Sequence, residues 1–348
     1  MRGVFLASKT FTIKVMAKNT LASAKNIVYF GDSLGANAAS ALYDNFHDAN
    51  RFGGTIPNML GTRGITKHYE AAGGYKWSNY ATAGEAGFRI SVSGVTSLQI
   101  GAVYSDGYHN FEILEVNITD GSGNCLLGQH YSGTLIMPTG TLTKVSGGGD
   151  DVVPYTDAFQ ESANPLWNDT TQELDINQYK QMLVNLGQLS SVSDKIDAVS
   201  FQFGINDNTL IDNPNTLRGY ISALYNLFIG DNPGCKFIVG LTTSSGNTLS
   251  GSGANYGATQ NWKRYLENTY KIRKFYLSLL ADFPNMRIAT PNLSLDRYFG
   301  YPLGTRQVSD RCTETEKYHT NFVHPTTSGY QQMADAYLAC YVGVLTES

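Results

Sequence analysis

The stretch KNIVYFGDSLGANAASALYDNF, residues 25–46, decides the fold. Its first part, NIVYF, is a short continuous apolar run, which predicts a strand that is covered on both faces. A helical pattern follows, and the two meet at Gly-Asp-Ser. Ser33 therefore lies at a strand-to-helix turn, where its hydroxyl either caps the helix or is a nucleophile held on a tight turn.

The same buried-strand pattern recurs further along the chain. It is found in DAVSFQFG (197–204), in CKFIVGLT (235–242) and, more weakly, in MRIAT (286–290). Helical patterns lie over residues 215–230, near 258–282 and over 328–345. Strands separated by helices of this length imply right-handed crossovers and a parallel sheet. We therefore predict an α/β fold, a three-layer αβα sandwich around a central parallel sheet.

Residues 85–148 interrupt this pattern with short, β-branched segments that are separated by glycine-rich turns. This predicts an antiparallel β-rich insert, with residues 145–151 as its exit linker. The predicted α/β domain then comprises residues 26–84 and 149–348. Residues 1–25, which include an alternating apolar pattern, are predicted to form an N-terminal extension or an edge strand.

Composition excludes some functions. The 348-residue chain has a net charge of −4 and no basic cluster, so nothing favours binding to nucleic acid or to an anionic membrane. The four cysteines form no CxxC pair, which predicts no metal site and leaves one disulfide open. No cofactor is predicted. The apolar stretch at the N-terminus is about five residues long, too short for a conventional signal peptide. The sequence leaves the location of the protein open: it could be cytoplasmic, or extracellular or virion-associated by a route other than a signal peptide. The oligomeric state is also left open.

Polar residues follow the predicted strands at the positions where α/β sheets place their working sites. Ser33 follows the first strand, and Asn206 and Asp207 follow the second. His324 precedes the last helix. Because active sites of open α/β sheets lie beyond the carboxyl ends of the strands, we expect these residues to meet.

This order of motifs resembles the SGNH hydrolases, also called the GDSL esterase/lipase superfamily. FGDSLG, FGINDN and VHP match the first, third and fifth blocks of that family, and HYEAAGGYKWSNY best matches the second, which gives Gly74. GTRGITKHYEAAGGYKW and NPLWN are similar to a subgroup often found among carbohydrate esterases. The resemblance covers roughly residues 26–83 and 164–345 and implies no metal or cofactor.

The resemblance implies a role for each matched residue. Ser33 would be the nucleophile and His324 its base, since an unperturbed imidazole titrates close to neutral pH. The oxyanion hole would consist of the backbone N–H groups of Ser33 and Gly74 and the side-chain amide of Asn206. Each residue also has a structural alternative. Ser33 could cap a helix, and Asn206 could form a turn. His324 could be an ordinary loop histidine, and Gly74 could only make its loop flexible.

A second set of residues is predicted less specifically. Asp32 is expected to orient the turn rather than to do chemistry. Substrate-binding residues are predicted around the site, although each aromatic one is equally compatible with the core: Tyr75, Trp77, Trp167 and Asp207.

The chain departs from the family pattern at Asn321, where an aspartate is expected three residues before His324. An amide oxygen can orient the imidazole but carries no charge, and an amide turned to present its NH₂ would hold the wrong tautomer. Three explanations stay open. A Ser–His dyad oriented by Asn321 or by a backbone carbonyl is one, and an inactive, binding fold is another. The third is a substitute acid: Asp310, Glu314 or Glu316.

The resemblance implies a metal-independent serine esterase that removes a small acyl group from a carbohydrate, and the resemblance to the subgroup implies that this group is acetyl. The β-rich insert, with its Tyr, Ser, Thr and Gly residues, suits a polyhydroxyl ligand. Two alternatives remain at this point. One is a lipid or thioester acyl hydrolase with the same site, and the other is a catalytically weak or inactive glycan-binding module.

Overall fold

A computed structural model describes residues 24–47, 55–63, 67–71, 74–84, 86–129, 137–207, 210–243, 262–321 and 323–346. Residues 1–23 of the predicted N-terminal extension or edge strand lie outside the described residues. Within the described ranges no helix combines the length and the apolar character needed to cross a membrane. All four cysteines carry free thiols, so the disulfide left open by the sequence does not form.

The strands are numbered in chain order. They are β1 (Asn26–Gly31), β2 (Asn58–Leu60), β3 (Glu70–Ala71), β4 (Ala86–Ser93), β5 (Val103–Ser105), β6 (Asn110–Thr119), β7 (Ser122–Gln129), β8 (Leu142–Ser146), β9 (Val152–Val153), β10 (Tyr155–Ser162), β11 (Trp167–Asn168), β12 (Glu173–Leu174), β13 (Ala198–Gln202), β14 (Lys236–Gly240), β15 (Met286–Ala289), β16 (Leu303–Gln307) and β17 (Thr315–His319).

The α-helices are numbered in the same way. They are α1 (Ser33–Phe46), α2 (Trp77–Ala81), α3 (Ile176–Asn185), α4 (Pro214–Asp231), α5 (Trp262–Ser278), α6 (Pro291–Ser294) and α7 (Thr327–Leu345). Short 3₁₀ helices lie at Leu210–Asp212 and Leu279–Ala281.

A parallel sheet with the order β15-β14-β13-β1-β2 forms the centre of the α/β part, and β3 pairs with the end of β1 beyond β2. The predicted α/β fold with a parallel sheet is confirmed. The chain runs from β1 to β2 and β3 on one side and then returns to β13 on the other. The β1–β13 boundary is therefore a topological switch point, which is where open α/β sheets place their ligand sites.

Both faces of this sheet are buried, which explains the continuous apolar run of β1. Val28 and Phe30 contribute to a core cluster that includes residues of α2, α3, α4 and α5. Ile27 and Tyr29 alternate with them and contribute to a second cluster with α1 and α7. A strand that packs on both faces needs apolar residues at every position, because successive side chains point to opposite faces.

Helix α1 starts very close to β1, and this contact depends on glycine. A Cβ atom on Gly31 would lie 2.7 Å from the Cα of Gly35. The missing side chain lets the chain turn sharply from β1 into α1, with Ser33 at the first helical position.

A second, antiparallel sheet has the order β10-β4-β7-β6-β5-β8-β9 and confirms the predicted β-rich insert. Its predicted end at residue 148 is wrong, because β10 pairs with β4 as far as Ser162. The predicted linker at 145–151 is also wrong, since β8 reaches Ser146 and pairs with β9. The two end strands, β9 and β10, are joined by Pro154 alone, so the sheet curls until its ends meet there. The division of the chain into domains stays a prediction.

Candidate active site

The turn after β1 places Ser33 and Asp32 in different roles. Asp32 is fully buried, and its Oδ1 accepts hydrogen bonds from the backbone N–H groups of Leu34 (2.9 Å) and Gly35 (3.2 Å). Asp32 is thus the residue that caps α1, as its predicted orienting role implies. The Ser33 hydroxyl is left for another partner, and its Oγ lies 2.9 Å from Nε2 of His324.

His324 reaches Ser33 from the loop between β17 and α7. Thr326 caps α7, because its Oγ1 accepts a hydrogen bond from the N–H of Gly329 at 3.2 Å. The imidazole is partly buried, and this burial lowers its pKa from the ordinary value because the charged form is poorly solvated. The ring is therefore neutral at neutral pH, the state in which a histidine can take a proton.

Asn321 contacts the other side of the imidazole through its nitrogen. Its Oδ1 accepts hydrogen bonds from the backbone N–H groups of Val323 (3.0 Å) and His324 (2.9 Å). Its Nδ2 consequently faces Nδ1 of His324, at 3.5 Å. The amide could not be turned around without placing its NH₂ against two backbone N–H donors. Of the two amide orientations that the sequence leaves open, the structure has the one with the NH₂ group towards the imidazole.

This orientation sets the imidazole tautomer. A donor next to Nδ1 favours the form in which Nδ1 is unprotonated and Nε2 carries the proton. In that form Nε2 donates to Ser33 instead of accepting its proton. The Nδ1 contact is long for a hydrogen bond, so this preference is weak. A protonated imidazole would gain no compensating charge from Asn321.

The three substitute acids do not approach His324. Glu316 pairs with Arg306 across the β16–β17 hairpin, with 2.8 Å between its Oε1 and the arginine Nε. Asp310 and Glu314 are exposed in the turn of the same hairpin. Among the residues that the structure describes, no carboxylate contacts His324, so the explanation by a neighbouring acid is wrong.

Asn206 and Gly74 lie close together through Tyr75. Nδ2 of Asn206 donates to the backbone carbonyl of Tyr75 at 3.0 Å, which leaves the second amide hydrogen for another acceptor. Gly74, the preceding residue, has φ +80°, a left-handed conformation that glycine adopts without strain. The contact fixes Asn206 beside the loop that carries Gly74.

Asp207 connects the same two loops through hydrogen bonds and is not a substrate-binding residue. It is fully buried, and its two carboxylate oxygens accept hydrogen bonds from the backbone N–H groups of Trp77 (3.2 Å) and Gly204 (3.1 Å). Burial raises its pKa to about 7. The prediction that Asp207 binds substrate is therefore wrong, and its carboxylate holds the loops of Gly74 and Asn206 together.

Two of the three predicted aromatic residues belong to the core. Tyr75 is 4% exposed and Trp77 is 0% exposed, so the prediction that they form a binding surface is wrong. The indole Nε1 of Trp77 donates to the hydroxyl of Tyr276 at 2.7 Å. Trp167 is partly buried on β11, and its binding role stays a prediction.

Arg63 supports the site and was not identified from the sequence. It is 2% exposed, its guanidinium lies 4.8 Å from the centre of the Tyr75 ring, and its Nη2 donates to the Tyr75 hydroxyl at 3.0 Å. Asn206 holds the backbone of the same tyrosine. A lone arginine in GTRG carries no sequence signal for burial, because arginine is rarely inside proteins.

No cluster of three or more His, Cys, Asp or Glu side chains is placed to hold a metal ion within the described part of the chain. That the reaction needs no metal or cofactor stays a prediction. The chemistry available from the residues in contact is nucleophilic: a serine hydroxyl within hydrogen-bond distance of an imidazole.

Comparisons with known proteins give distant structural likenesses. A peptidoglycan O-acetylesterase aligns over 93% of this chain and 92% of its own, with 10% identity and a TM-score of 0.39. A possible lipase from Chitinophaga pinensis aligns over 44% and 76% (11% identity, TM-score 0.29). A salicylyl-acyltransferase from a tetracycline biosynthetic pathway aligns over 75% and 80% (14% identity, TM-score 0.27). No protein-family model matches the sequence. No curated protein matches it significantly. Likeness of this degree assigns no activity to the chain.

Proposed function

We propose that the protein is a serine esterase of the SGNH type that removes small acyl groups, acetyl above all, from a carbohydrate. The observation that carries this proposal is the 2.9 Å contact between Ser33 Oγ and His324 Nε2, made by residues 291 positions apart. The order of the sequence motifs supports it. Buried side chains on both faces of the parallel sheet support the three-layer αβα arrangement as part of the same proposal.

In the proposed reaction, Ser33 Oγ attacks the ester carbonyl carbon while Nε2 of His324 takes the hydroxyl proton. The carbonyl oxygen becomes an oxyanion, which the N–H groups of Ser33 and Gly74 and the remaining amide hydrogen of Asn206 would stabilise. When the carbon–oxygen bond to the sugar breaks, His324 returns the proton to the sugar oxygen. Water then attacks the acyl carbon while the same imidazole takes a proton from it, and His324 returns this proton to Ser33 Oγ as the bond between Oγ and the acyl group breaks.

Asn321 makes this reaction slow. Nε2 must be free of its proton before it can act as a base, and the NH₂ group at Nδ1 favours the opposite tautomer. The imidazolium that forms during attack has no carboxylate to stabilise it. The second explanation for Asn321, a weak or inactive glycan-binding module, is favoured by this one observation and is kept as the alternative function.

The test is ester hydrolysis by matched variants. We expect the wild-type protein to hydrolyse p-nitrophenyl acetate, and Ser33→Ala to lose at least about 10³-fold in kcat, because the nucleophile is gone. Ser190→Ala, at an exposed serine, should behave like the wild type. Full activity in Ser33→Ala would contradict the proposal, and a folded wild type without any hydrolysis would favour the binding module.

Chain length separates the esterase from a lipid or thioester acyl hydrolase. A site that fits only acetyl groups should lose activity steeply from p-nitrophenyl acetate to the octanoate, because such a site excludes a longer acyl chain. A rate that rises with chain length would favour the lipid or thioester alternative. Acetate release from acetylated polysaccharides then tests the carbohydrate part directly.

A further inference from the structure

Two exposed aromatic residues, Tyr298 and Phe299, stand side by side in the segment between α6 and β16. Phe299 is 71% exposed and Tyr298 is 39% exposed, and their rings meet edge to face with 4.9 Å between centroids. Contiguous exposed apolar surface is a common feature of binding sites. The proposed reaction described above uses neither residue.

The buried side of this segment belongs to an apolar cluster that includes chain neighbours of the predicted site residues. Leu295 is 5% exposed and belongs to one apolar cluster with Leu34, Ile205 and Val323. Each of these three precedes or follows a predicted site residue in the chain: Ser33, Asn206 and His324. The segment that carries the two rings therefore shares one apolar cluster with chain neighbours of all three.

Hydrogen bonds join the same segment to both ends of the His324 loop. The backbone carbonyl of Tyr298 accepts from Nε2 of His319 at 2.9 Å, and the rings of these two residues lie 5.5 Å apart. The carbonyl of Gly300 accepts from the backbone N–H of Thr326 at 2.8 Å. Hydrogen bonds therefore connect the segment that carries the two rings to the loop that carries His324, on both sides of His324.

The two rings also stand on a locally rigid turn. The Asp296 carboxylate accepts hydrogen bonds from the backbone N–H groups of Tyr298 (2.7 Å) and Phe299 (2.8 Å). These bonds hold the pKa of Asp296 below its usual range. A surface that is already ordered loses little conformational entropy when a ligand binds to it.

We infer that Tyr298 and Phe299 form a sugar-binding platform, on which a pyranose ring of the acylated carbohydrate stacks while its ester lies at Ser33. The inference rests on the proposed function, because it names how the substrate of that site is held. The C–H bonds on one face of a pyranose carry partial positive charge and match the negative face of an aromatic ring. A tyrosine hydroxyl beside it can bond to sugar hydroxyls.

The test measures binding without turnover, in a Ser33→Ala background. Retardation in native affinity gels is measured with acetylated xylan, acetylated mannan and soluble acetylated peptidoglycan fragments. We expect at least one of these to retard the protein, and Phe299→Ala to weaken that binding about five- to ten-fold, the range for one aromatic contact. Phe299→Trp should restore it, which loss of structure alone would not explain.

A matched control and a separate activity measurement make each outcome decisive. Tyr108→Ala removes another ring, 85% exposed on the insert, and should leave retardation unchanged. Absence of retardation by every polysaccharide would overturn the platform, as would equal retardation of the Phe299→Ala variant. Hydrolysis of p-nitrophenyl acetate by the intact protein, abolished by Ser33→Ala, decides the esterase independently, so the two proposals fail separately.

Discussion

Replacing Asn321 by aspartate is expected to accelerate the reaction, because the structure already holds an aspartate-like geometry. One oxygen of residue 321 accepts two backbone N–H bonds, which a carboxylate oxygen accepts equally well. The second oxygen would take the place of Nδ2, 3.5 Å from Nδ1 of His324. That contact has to shorten by about 0.7 Å to reach the length of a charge-assisted hydrogen bond.

The size of the gain follows from the charge that the aspartate introduces. Two unit charges about 4 Å apart attract by about 4 kcal/mol at the effective dielectric constant of a partly exposed site. Each 1.36 kcal/mol of barrier is a factor of ten, so stabilising the His324 imidazolium should raise kcat about 10³-fold. The ceiling is about 10⁴, the loss that the reverse replacement causes in a serine protease.

The assay is steady-state hydrolysis of p-nitrophenyl acetate by wild type, Asn321→Asp and Asn177→Asp. Asn177 is exposed at the start of α3, so its replacement changes the net charge equally without approaching the imidazole. The control should match the wild type. An unchanged or lower kcat in a folded Asn321→Asp variant would refute the argument that an aspartate stabilises the His324 imidazolium.

Three further predictions follow from burial and close contact. Because burial lowers the pKa of His324, the acid limb of kcat/KM should have its midpoint below about 6.5, and Asn321→Asp should move that limb to higher pH in a pH–rate profile. Burial raises the pKa of Glu70 to about 7 from an unfolded value near 4.5. The folded state therefore favours the protonated form of Glu70. The contribution of this group to the free energy of unfolding is fully present below pH 4.5 and is lost as the pH rises through 7. In urea unfolding, the free energy of unfolding should fall more steeply from pH 5 to pH 8 for the wild type than for Glu70→Gln. Equal declines in the two proteins would disprove the raised pKa of Glu70. Gly31→Ala should lower the free energy of unfolding by about 1–3 kcal/mol because it crowds α1. Gly230→Ala, with open space around the position, should not destabilise, and equal losses in both would argue against the close contact.

The parallel sheet could be predicted because its strands leave a direct trace in the sequence. Residues 27–31 and 198–202 are buried and mostly apolar, so their pattern and their environment agree, with Ser200 and Gln202 as buried polar exceptions. The carboxyl ends of such strands meet at one edge, so Ser33 and Asn206 are expected to lie near each other, and this stays a prediction. The insert was harder to delimit, because Tyr155–Ser162 carries polar residues at many positions.

The details of the site depend on contacts that the sequence does not encode locally. The orientation of the Asn321 amide is set by two backbone N–H groups, and no residue pattern reports where those point. Tyr75 and Trp77 could equally have lined a cleft or filled a core, since aromatic side chains do both. Asp207 is polar and follows a strand, yet both of its carboxylate oxygens accept hydrogen bonds from backbone N–H groups, those of Trp77 and Gly204.

Mass-spectrometric mapping of a fluorophosphonate adduct tests the central claim most directly. The account predicts one adduct, on the Oγ of Ser33, which is lost in His324→Ala because the hydroxyl then has no base to take its proton. It also predicts faster labelling in Asn321→Asp than in the wild type. A folded protein that stays unlabelled at residue 33, or that labels equally well without the imidazole, would contradict the account.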